Sequence, residues 1–191
     1  MDVSDTDLPG VRLLEPDVYS DERGSFMETW NARDYGHCGI EVSFVQDNLS
    51  RSREGLLRGL HFQNPRPQAK LISVLEGEVY DVIVDVRVDS ETFGEWEGRF
   101  LSAEDPHQLY VPEGYAHGFV VTSGDALFHY KCTDFYHPEA DRGIRWNDPA
   151  LGIDWPVDDP ILSDKDAKAP LLDEVPRAAL QFEEPFHVQF D

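Results

Sequence analysis

The chain has 191 residues, which is enough for one domain with a sizeable core. It carries 38 acidic and 16 basic residues and a formal net charge of −22 at pH 7. Such a charge excludes general affinity for nucleic acids or anionic membranes as the main activity. No apolar run approaches the length of a membrane span, the acidic N-terminus lacks the apolar core of a secretory signal, and Cys38 and Cys132 alone make no disulfide framework. We therefore expect a soluble cytoplasmic protein.

The two signs of charge are distributed differently along the chain. Acidic residues are spread throughout, which favours adaptation to high salt over a specific cationic partner as their cause. Residues 51–70 instead hold five cations and a single acid, Glu54. The five cations are Arg51, Arg53, Arg58, Arg66 and Lys70. Salt bridges to neighbouring acids would explain this basic segment, and so would an anionic ligand, because Arg matches phosphate and carboxylate oxygens.

Strand signals dominate the chain and helix periodicity is scarce. In chain order we expect a short helix at 31–36, strands at 42–46, 71–76, 79–88, 99–102, 108–111, 117–122 and 126–133, and a short helix near 164–169. Many short strands separated by Gly, Pro, Asn and Asp predict a β-sandwich or barrel such as a jelly roll. No linker divides the chain, so residues 1–191 are expected to form a single domain, with an acidic leader at 1–10 and a peripheral tail at 173–191.

The clearest strand signal lies at residues 79–88. Val82 and Val84 alternate there with Asp81 and Asp85. Successive side chains point to opposite faces of a strand, so this pattern predicts one face in a core and one polar face.

The segment LLRGLHFQ at residues 56–63 holds the first candidate site residues. A lone His in an apolar strand is more often a core residue, but His61 lies in the same segment as the cations, which favours a site. A regular strand would place Arg58 and His61 on opposite faces. Gly59 permits a β-bulge that re-aims one of them. We therefore expect both side chains in one pocket only if the strand is bulged.

Two later segments carry further candidates. PEGYAHGF at 112–119 combines a turn with His117 at the start of a strand, and ALFHYKCT at 126–133 places Phe128 and Tyr130 on one strand face. A buried Tyr is usually a core residue with one hydrogen bond to its hydroxyl, whereas a Tyr in a pocket can donate a proton to an enolate. The spacing leaves both interpretations of Tyr130 open.

The same segments bear on metal binding. Cupin barrels that hold a metal often use His-x-His and a Glu on one strand and a His on a later strand. Here the first segment reads His61-Phe62-Gln63, Lys70 stands roughly where the acid would be needed, and only His117 keeps its ligand type. Amide and ammonium groups are poor replacements for imidazole and carboxylate. The sequence therefore predicts a cupin-like shell without a metal ion.

A series of segments carries a resemblance to a known family. They are VYSDERGSFMETW (18–30), FVQDNLSRSREGLLRGLHFQ (44–63), KLISVLEGEVYDVIVDVR (70–87), QLYVPEGYAHGFVV (108–121), HYKCTDFY (129–136), GIRWNDPALGIDWP (143–156) and LSDKDAKAP (162–170). In this order they resemble the dTDP-4-dehydrorhamnose 3,5-epimerase family over most of the chain, and the match is highly specific. The two termini lie outside the resemblance.

The resemblance implies an all-β, cupin-type jelly roll (double-stranded β-helix) with a few short peripheral helices, no metal, no cofactor and usually a homodimeric assembly. The implied reaction is epimerisation at C3 and C5 of dTDP-4-dehydro-6-deoxy-D-glucose, on the route to dTDP-L-rhamnose. By motif position, His61 would be the general base, Asp166 its carboxylate partner and Tyr130 the acid. Lys70 and His117 would lie near the C4 ketone.

A second set of positions is implied to hold the nucleotide, the diphosphate or the sugar. It comprises Arg23, Phe26, Glu28, Gln46, Asp47, Asn48, Arg58, Lys70, His117, Asp141, Trp146 and Lys165. Phe26 or Trp146 is expected to stack on the nucleobase. In such dimers part of the N-terminal region can serve the neighbouring chain's pocket, so some of these contacts are expected to come from a second copy.

Three other functions compete with this one. An epimerase acting only at C3 or only at C5 of another dTDP-deoxysugar would use the same motifs, so the sequence separates the two poorly. A metal-dependent cupin enzyme is disfavoured by the missing ligands. A non-catalytic sugar-nucleotide binder is disfavoured because His61, Asp166 and Tyr130 are all present.

Overall fold

The structure, a computed structural model, describes residues 1–182. Its strands, in chain order, are β1 (Asp2–Asp5), β2 (Arg12–Glu15), β3 (Val18–Asp21), β4 (Gly24–Met27), β5 (Gln46–Arg53), β6 (Leu57–Gln63), β7 (Lys70–Glu76), β8 (Glu78–Asp85), β9 (Trp96–Ser102), β10 (Gln108–Val111), β11 (Tyr115–Val121), β12 (Asp125–Cys132) and β13 (Asp141–Gly143). Its helices are α1 (Ala32–His37) and α2 (Asp164–Ala167), with 3-10 turns at Leu172–Glu174 and Arg177–Leu180. Within this range, no helix combines the length and the apolar character needed to cross a membrane.

Two antiparallel sheets form the body of the fold. The six-stranded sheet has the order β1-β2-β10-β7-β12-β5, and the five-stranded sheet has the order β13-β6-β11-β8-β9. A core between them joins Ile72 and Phe128 of the first sheet to Ile83 and Phe119 of the second. The rings of Phe119 and Phe128 stack with centroids 3.9 Å apart, so the two sheets are in direct contact at this point. The all-β jelly-roll expectation is thus confirmed.

One predicted strand is wrong. Residues 42–45 form no strand, and β5 begins only at Gln46. The apolar residues Val42 and Phe44 pack instead against a cluster that contains Tyr35 of α1 and Leu71. The ring centroids of Phe44 and Trp30 lie 4.6 Å apart. The alternating apolar residues that predicted a strand therefore belong to a loop that packs on helix α1.

The predicted polar face of the 79–88 strand is not at the surface. Asp81 and Asp85 are buried, with 1% and 0% of their surfaces exposed. Asp85 receives a bidentate pair from Arg87, with Nε–Oδ1 at 3.0 Å and Nη2–Oδ2 at 2.6 Å. Buried carboxylates need such partners because desolvation of an unpaired charge is costly. This face of the strand carries the predicted polar residues, but it lies between the two sheets and not at the surface.

The other face of β8 is covered by the C-terminal part of the chain. Val82 and Val84 pack in a second cluster with Trp155, Val175 and Leu180. The backbone N–H of Val88 donates to Leu180 O at 3.0 Å, which ties this segment to the end of β8. Residues 173–182 of the predicted peripheral tail therefore cover one side of the five-stranded sheet, while residues 183–191 lie outside the described range.

The N-terminal region forms both a sheet edge and an extended hairpin. The predicted acidic leader contains β1, which pairs with β2 at one edge of the six-stranded sheet. Within the described part of the chain, strands β3 and β4 pair only with each other, and their aromatic side chains Tyr19 and Phe26 are 66% and 68% exposed. Strand β5 forms the opposite edge of the six-stranded sheet. Among residues 1–182, neither the hairpin nor the outer edge of β5 pairs with a further strand.

Candidate active site

A cavity of about 500 Å³ opens between the two sheets. This volume lies in the usual range for small-molecule sites. The residues that line it come from both sheets, from the loops that follow β6 and β12, and from α2. They are Gln46, Asn48, Leu49, Ser50, Arg58, His61, Phe62, Gln63, Gln68, Lys70, His117, Phe119, Phe128, Tyr130, Cys132, Tyr136, Asp141 and Lys165.

Strand β6 carries the β-bulge that the sequence permitted. On β11, His117 and Phe119 are two residues apart, but they pair with His61 and Arg58, which are three apart on β6. The extra residue on β6 brings Arg58 and His61 to the same cavity. Gly59 has φ +121° there, and a Cβ at this position would lie 2.5 Å from the Cα of Gly118. Only glycine fits so close a backbone approach at a positive φ.

His61 and Asp166 form an imidazole–carboxylate pair on one wall. His61 Nε2 donates to Asp166 Oδ1 at 2.6 Å, which leaves Nδ1 with its lone pair. Asp166 lies on α2, where Ser163 caps the helix by accepting the N–H of Asp166. Burial raises the pKa of Asp166, but the hydrogen bonds from His61, Ser163 and the Gly59 N–H outweigh it and hold the pKa below its usual value. The carboxylate therefore stays ionised beside the imidazole.

Tyr130 reaches the cavity from the opposite sheet. It lies on β12 of the six-stranded sheet, whereas His61 lies on β6 of the five-stranded sheet. Burial raises the pKa of the phenol, and Cys132 and Asp141 act in the same direction, while Arg58 opposes them. The hydroxyl thus remains protonated at neutral pH, as a proton donor must.

A second imidazole–carboxylate pair lies deeper in the cavity. His117 Nε2 and Asp81 Oδ2 are 2.8 Å apart, and both side chains are buried. Burial lowers the pKa of His117, against the opposing effect of Asp81, while Lys70 and His61 lower it further. Burial also lowers the pKa of Lys70, an effect that Cys132 and Asp81 oppose.

Both explanations of the basic segment 51–70, salt bridges to acids and an anionic ligand, apply to some of its cations. Arg58 and Lys70 line the cavity. Arg51 instead pairs with Glu76 and Asp125 at 2.7 Å each, and Arg66 pairs with Asp134. The segment therefore supplies both structural salt bridges and cavity charges, and Lys165, which pairs with Asp141, adds another cation at the cavity.

Five of the predicted binding residues lie outside the cavity of their own chain. Arg23 pairs with Asp21 on the exposed hairpin, and Asp47 points away from the cavity to pair with Lys131 at 2.9 Å. The indole of Trp146 packs near Trp155, with centroids 6.5 Å apart, in the cluster that covers the five-stranded sheet. The structure therefore does not support Trp146 as a stacking surface. The remaining two are Phe26, on the same hairpin, and Glu28, which follows it.

Tyr136 and Asp81 are site residues that the sequence analysis missed. Tyr136 lies at the cavity, 54% exposed, and its hydroxyl is 3.0 Å from Asp141 Oδ2. Its signal in the sequence is the aromatic pair Phe135-Tyr136, which stands shortly after the end of β12 at Cys132 and precedes a His-Pro turn. Asp81 has no comparable signal because its partner His117 lies 36 residues away.

The side chains of the cavity also bear on metal binding. Within residues 1–182, no group of three or more His, Cys, Asp and Glu side chains is arranged to hold a metal ion. Gln63, at the second position of the His-x-His pattern, uses its amide on backbone groups instead, with Nε2 2.8 Å from Arg66 O.

Comparison with known proteins gives a consistent result. The family model described as dTDP-4-dehydrorhamnose 3,5-epimerase matches residues 5–174. The protein of that name from Methanothermobacter thermautotrophicus is 54% identical over 164 residues, which cover 84% of this chain and 89% of the relative.

Solved structures show the same likeness. The dTDP-6-deoxy-D-glucose-3,5-epimerase of Legionella pneumophila, in complex with dTDP-4-keto-L-rhamnose, has a TM-score of 0.92 and 48% identity, and the match covers 96% of this chain and 99% of that one. A 3'-monoepimerase of Streptomyces bikiniensis, in complex with dTDP-quinovose, is less similar in sequence, with a TM-score of 0.86, 35% identity and coverage of 92% and 90%. From the family match, the relatives and the fold together, this chain belongs to the dTDP-4-dehydrorhamnose 3,5-epimerase family of isomerases.

Proposed function

We propose that the chain epimerises C3 and C5 of dTDP-4-dehydro-6-deoxy-D-glucose and so supplies the keto sugar from which dTDP-L-rhamnose is made. The observation that carries this proposal is the placement of His61 and Tyr130 on facing sheets of one cavity. Inversion requires that a proton leave one face of a carbon and return from the other. A base and an acid on opposite walls provide this arrangement.

The proposed chemistry follows from the acidity of the protons beside a ketone. His61 Nδ1 takes the proton from C3 or C5, and the electron pair of the C–H bond moves to the C4 oxygen as an enolate. Lys70 lies in the same cavity, where the developing negative charge favours its protonated form. Tyr130 then returns a proton to the carbon from the opposite face, and the C4 ketone forms again. The phenolate regains a proton from solvent, and the His61 imidazolium releases to solvent the proton that it took.

Side chains of the chain carry every step, so the proposal needs no cofactor and no metal. Asp166 keeps the proton of His61 on Nε2 and stabilises the imidazolium formed when Nδ1 accepts a proton. Positioned acid–base groups of this kind accelerate proton transfer by about 10²–10⁴-fold each.

Substrate binding is assigned to the cations and the exposed aromatic ring at the cavity. Arg58 and Lys165 provide the positive charge for a diphosphate, which the net charge of −22 would otherwise repel. The ring of Tyr136 offers a face on which a nucleobase can stack. The free thiols of Cys38 and Cys132 fit a reducing compartment, so we place the protein in the cytoplasm.

The proposal includes a homodimer with shared pockets. As far as residue 182, the β3–β4 hairpin is exposed and pairs only with itself, and the outer edge of β5, whose Gln46 and Asn48 line the cavity, pairs with no strand. A partner hairpin seated along that edge would bring Arg23, Phe26 and Glu28 to the cavity that they do not reach in their own chain. It would also cover the exposed aromatic side chains of the hairpin.

Incubation with dTDP-4-dehydro-6-deoxy-D-glucose in deuterium oxide tests the reaction. Deuterium at both C3 and C5 is the expected result. Deuterium at one carbon would instead assign the activity of the monoepimerase relative, and its absence from both carbons would overturn the proposal. His61→Asn is the control and is expected to bind dTDP without labelling the sugar. Stoichiometric iron, manganese or zinc in the active protein would favour the metal-dependent alternative.

Complementation between two inactive variants tests the shared pocket. Arg23→Ala and His61→Asn subunits are mixed and allowed to exchange. If Arg23 serves the partner's cavity, mixed dimers hold one complete site, and about one quarter of the wild-type activity returns, because half of the dimers are mixed. If Arg23 serves its own chain, no mixed dimer holds a complete site and activity stays low. Sedimentation of the wild type gives the assembly state independently.

A further inference from the structure

Gln63 is a buried cavity residue for which the proposed reaction has no use. It follows His61 by two positions on β6, so both side chains point to the same side of the strand. Its side chain replaces the second imidazole of the His-x-His pattern of metal-holding cupins. Only 5% of Gln63 is exposed, so its amide must find hydrogen-bond partners within the protein.

The partners of the Gln63 amide all belong to backbone. Nε2 donates to Arg66 O at 2.8 Å and to Phe135 O at 3.2 Å, and Oε1 accepts the N–H of His137 at 2.8 Å. Both N–H groups of the amide are thereby used. Gln63 therefore presents no donor to a ligand, although it lines the cavity.

The two partners Phe135 and His137 flank Tyr136. Gln63 thus holds the chain on both sides of this residue. The N–H of Tyr136 itself donates to Gln46 Oε1 at 2.9 Å. The hydroxyl of Tyr136 donates to Asp141 Oδ2, while its ring remains accessible to a ligand.

Two side chains of the loop between β6 and β7 hold the start of the same segment. Arg66 pairs with Asp134 through two hydrogen bonds of 2.9 and 3.0 Å, and Gln68 Nε2 donates to Asp134 O at 2.6 Å. Gln63 connects the loop after β6 with the loop after β12, since it donates to Arg66 O as well as to Phe135 O.

We propose that Gln63 is a positioning residue: its amide fixes the backbone at residues 135–137 so that the Tyr136 ring is held ready to stack on the base of a nucleoside diphosphate. This role deepens the proposed function and rests on it. A loop fixed before binding loses less conformational freedom when the ligand arrives, so the contribution falls on nucleotide affinity. The proton transfers at His61 and Tyr130 are not involved.

A double-mutant cycle on dTDP binding tests this role. Gln63→Met keeps the length of the side chain but removes all three hydrogen bonds. It is expected to weaken dTDP binding, measured by calorimetry, by about ten- to thirtyfold. The kcat at saturating substrate should stay within about threefold of the wild-type value. In a Tyr136→Ala background, the same substitution should change the dissociation constant by less than about twofold, because the ring it orients is gone.

Asn64→Leu is the matched control. Asn64 is the next residue along the chain, and its Nδ2 likewise donates to two backbone oxygens, Ala179 O at 2.9 Å and Gln181 O at 2.7 Å, but in the C-terminal segment. Its loss should lower the thermal midpoint and leave dTDP affinity unchanged. Gln63→Glu, which keeps one acceptor and loses both donors, serves as a second variant if Gln63→Met does not fold, and the same weakening is expected.

Three results would overturn the role of Gln63. They are unchanged dTDP affinity in both Gln63 variants, an equal loss with and without the Tyr136 ring, or a fall in kcat with affinity preserved. Each is distinct from failure of the proposed function, which would show as a wild-type protein that neither binds dTDP nor labels the sugar in deuterium oxide.

Discussion

Two imidazole–carboxylate pairs share one cavity at different depths. His61 and Asp166 are joined at 2.6 Å, and the His61 side chain is 33% exposed. His117 and Asp81 are joined at 2.8 Å, and the His117 side chain is 8% exposed. The pairs are alike in chemistry and nearly alike in geometry, so their difference lies in the access of a substrate to the ring.

The surroundings of the deeper pair restrict it further. The ring of His117 stacks nearly parallel to Phe128, with centroids 5.9 Å apart, and Asp81 Oδ1 is buried and finds no hydrogen-bond partner among residues 1–182. Burial lowers the pKa of His117, so the ring stays neutral at neutral pH. A neutral, stacked imidazole shapes the cavity floor, whereas an accessible one can take and release a proton. The comparison teaches that a carboxylate partner alone does not make an imidazole a base.

The largest effect is expected from Asp166→Asn. The amide would donate to His61 Nε2, which shifts the ring proton to Nδ1 and removes the lone pair from the cavity. We expect kcat to fall by about 10²–10⁴-fold with dTDP affinity preserved. Turnover and calorimetric binding measure the two quantities. Asp164→Asn, on the exposed side of the same helix, is the control and should retain activity.

A smaller effect is expected from Asp81→Asn. The substitution removes a buried charge and weakens the orientation of His117, but it leaves the base and the acid in place. We expect kcat to fall by about tenfold, as for the loss of one charge-assisted hydrogen bond. If Asp81→Asn reduced kcat more than Asp166→Asn, the deeper pair would be the base and the comparison would be reversed.

The smallest effect concerns the pH dependence of stability. Because the folded-state pKa of His117 lies below its unfolded value of 6.5, the unfolded chain takes up the proton first, and this contribution to stability is lost as pH falls below about 6.5. Urea unfolding of the wild type and of His117→Gln between about pH 7.5 and 5.5 should show the steeper loss in the wild type. Parallel curves would contradict the lowered pKa.

Two other groups titrate in the same range. Burial and the charge of Asp134 raise the pKa of Glu113 to about 7, so its contribution has the opposite sign and stability from it is lost as pH rises. Burial lowers the pKa of His129, which acts in the same direction as His117. Both groups are present in the wild type and in His117→Gln, so the difference between the two curves isolates His117.

The sequence predicted the strands β7 to β12 and allowed for the bulge because these signals are local, whereas β1 to β4 and β13 were not predicted. Turn residues and alternating apolar positions marked the strands, and Gly59 between Arg58 and His61 marked a place where the register of this strand could change. The strand at 42–46 was wrong because alternation alone does not distinguish a strand from a loop packed on a helix. The burial of Asp81 could not be predicted from local pattern, since it depends on strands far apart in sequence.

The sequence motifs predicted the candidate site correctly for residues that reach the cavity of their own chain. The residues on β6, β7, β11 and β12 that the motifs singled out do meet in one cavity. Arg23, Phe26 and Glu28 do not reach this cavity. A motif match indicates that a residue has a function, but it does not indicate whether the residue serves its own chain or another copy. Tyr136 was missed because an exposed aromatic in a loop gives no periodic signal.

The contact between Gly59 and Gly118 limits how this pocket could be transferred to another protein. A Cβ on Gly118 would lie 2.7 Å from the Arg58 carbonyl oxygen, and a Cβ on Gly59 would meet the Gly118 Cα. The two strands therefore interlock without room for a methyl group on either one. If the histidine alone were transferred to a double-stranded β-helix without the bulge, its imidazole and the arginine would lie on opposite faces of the strand. Both glycines and the inserted residue would have to be moved as one unit.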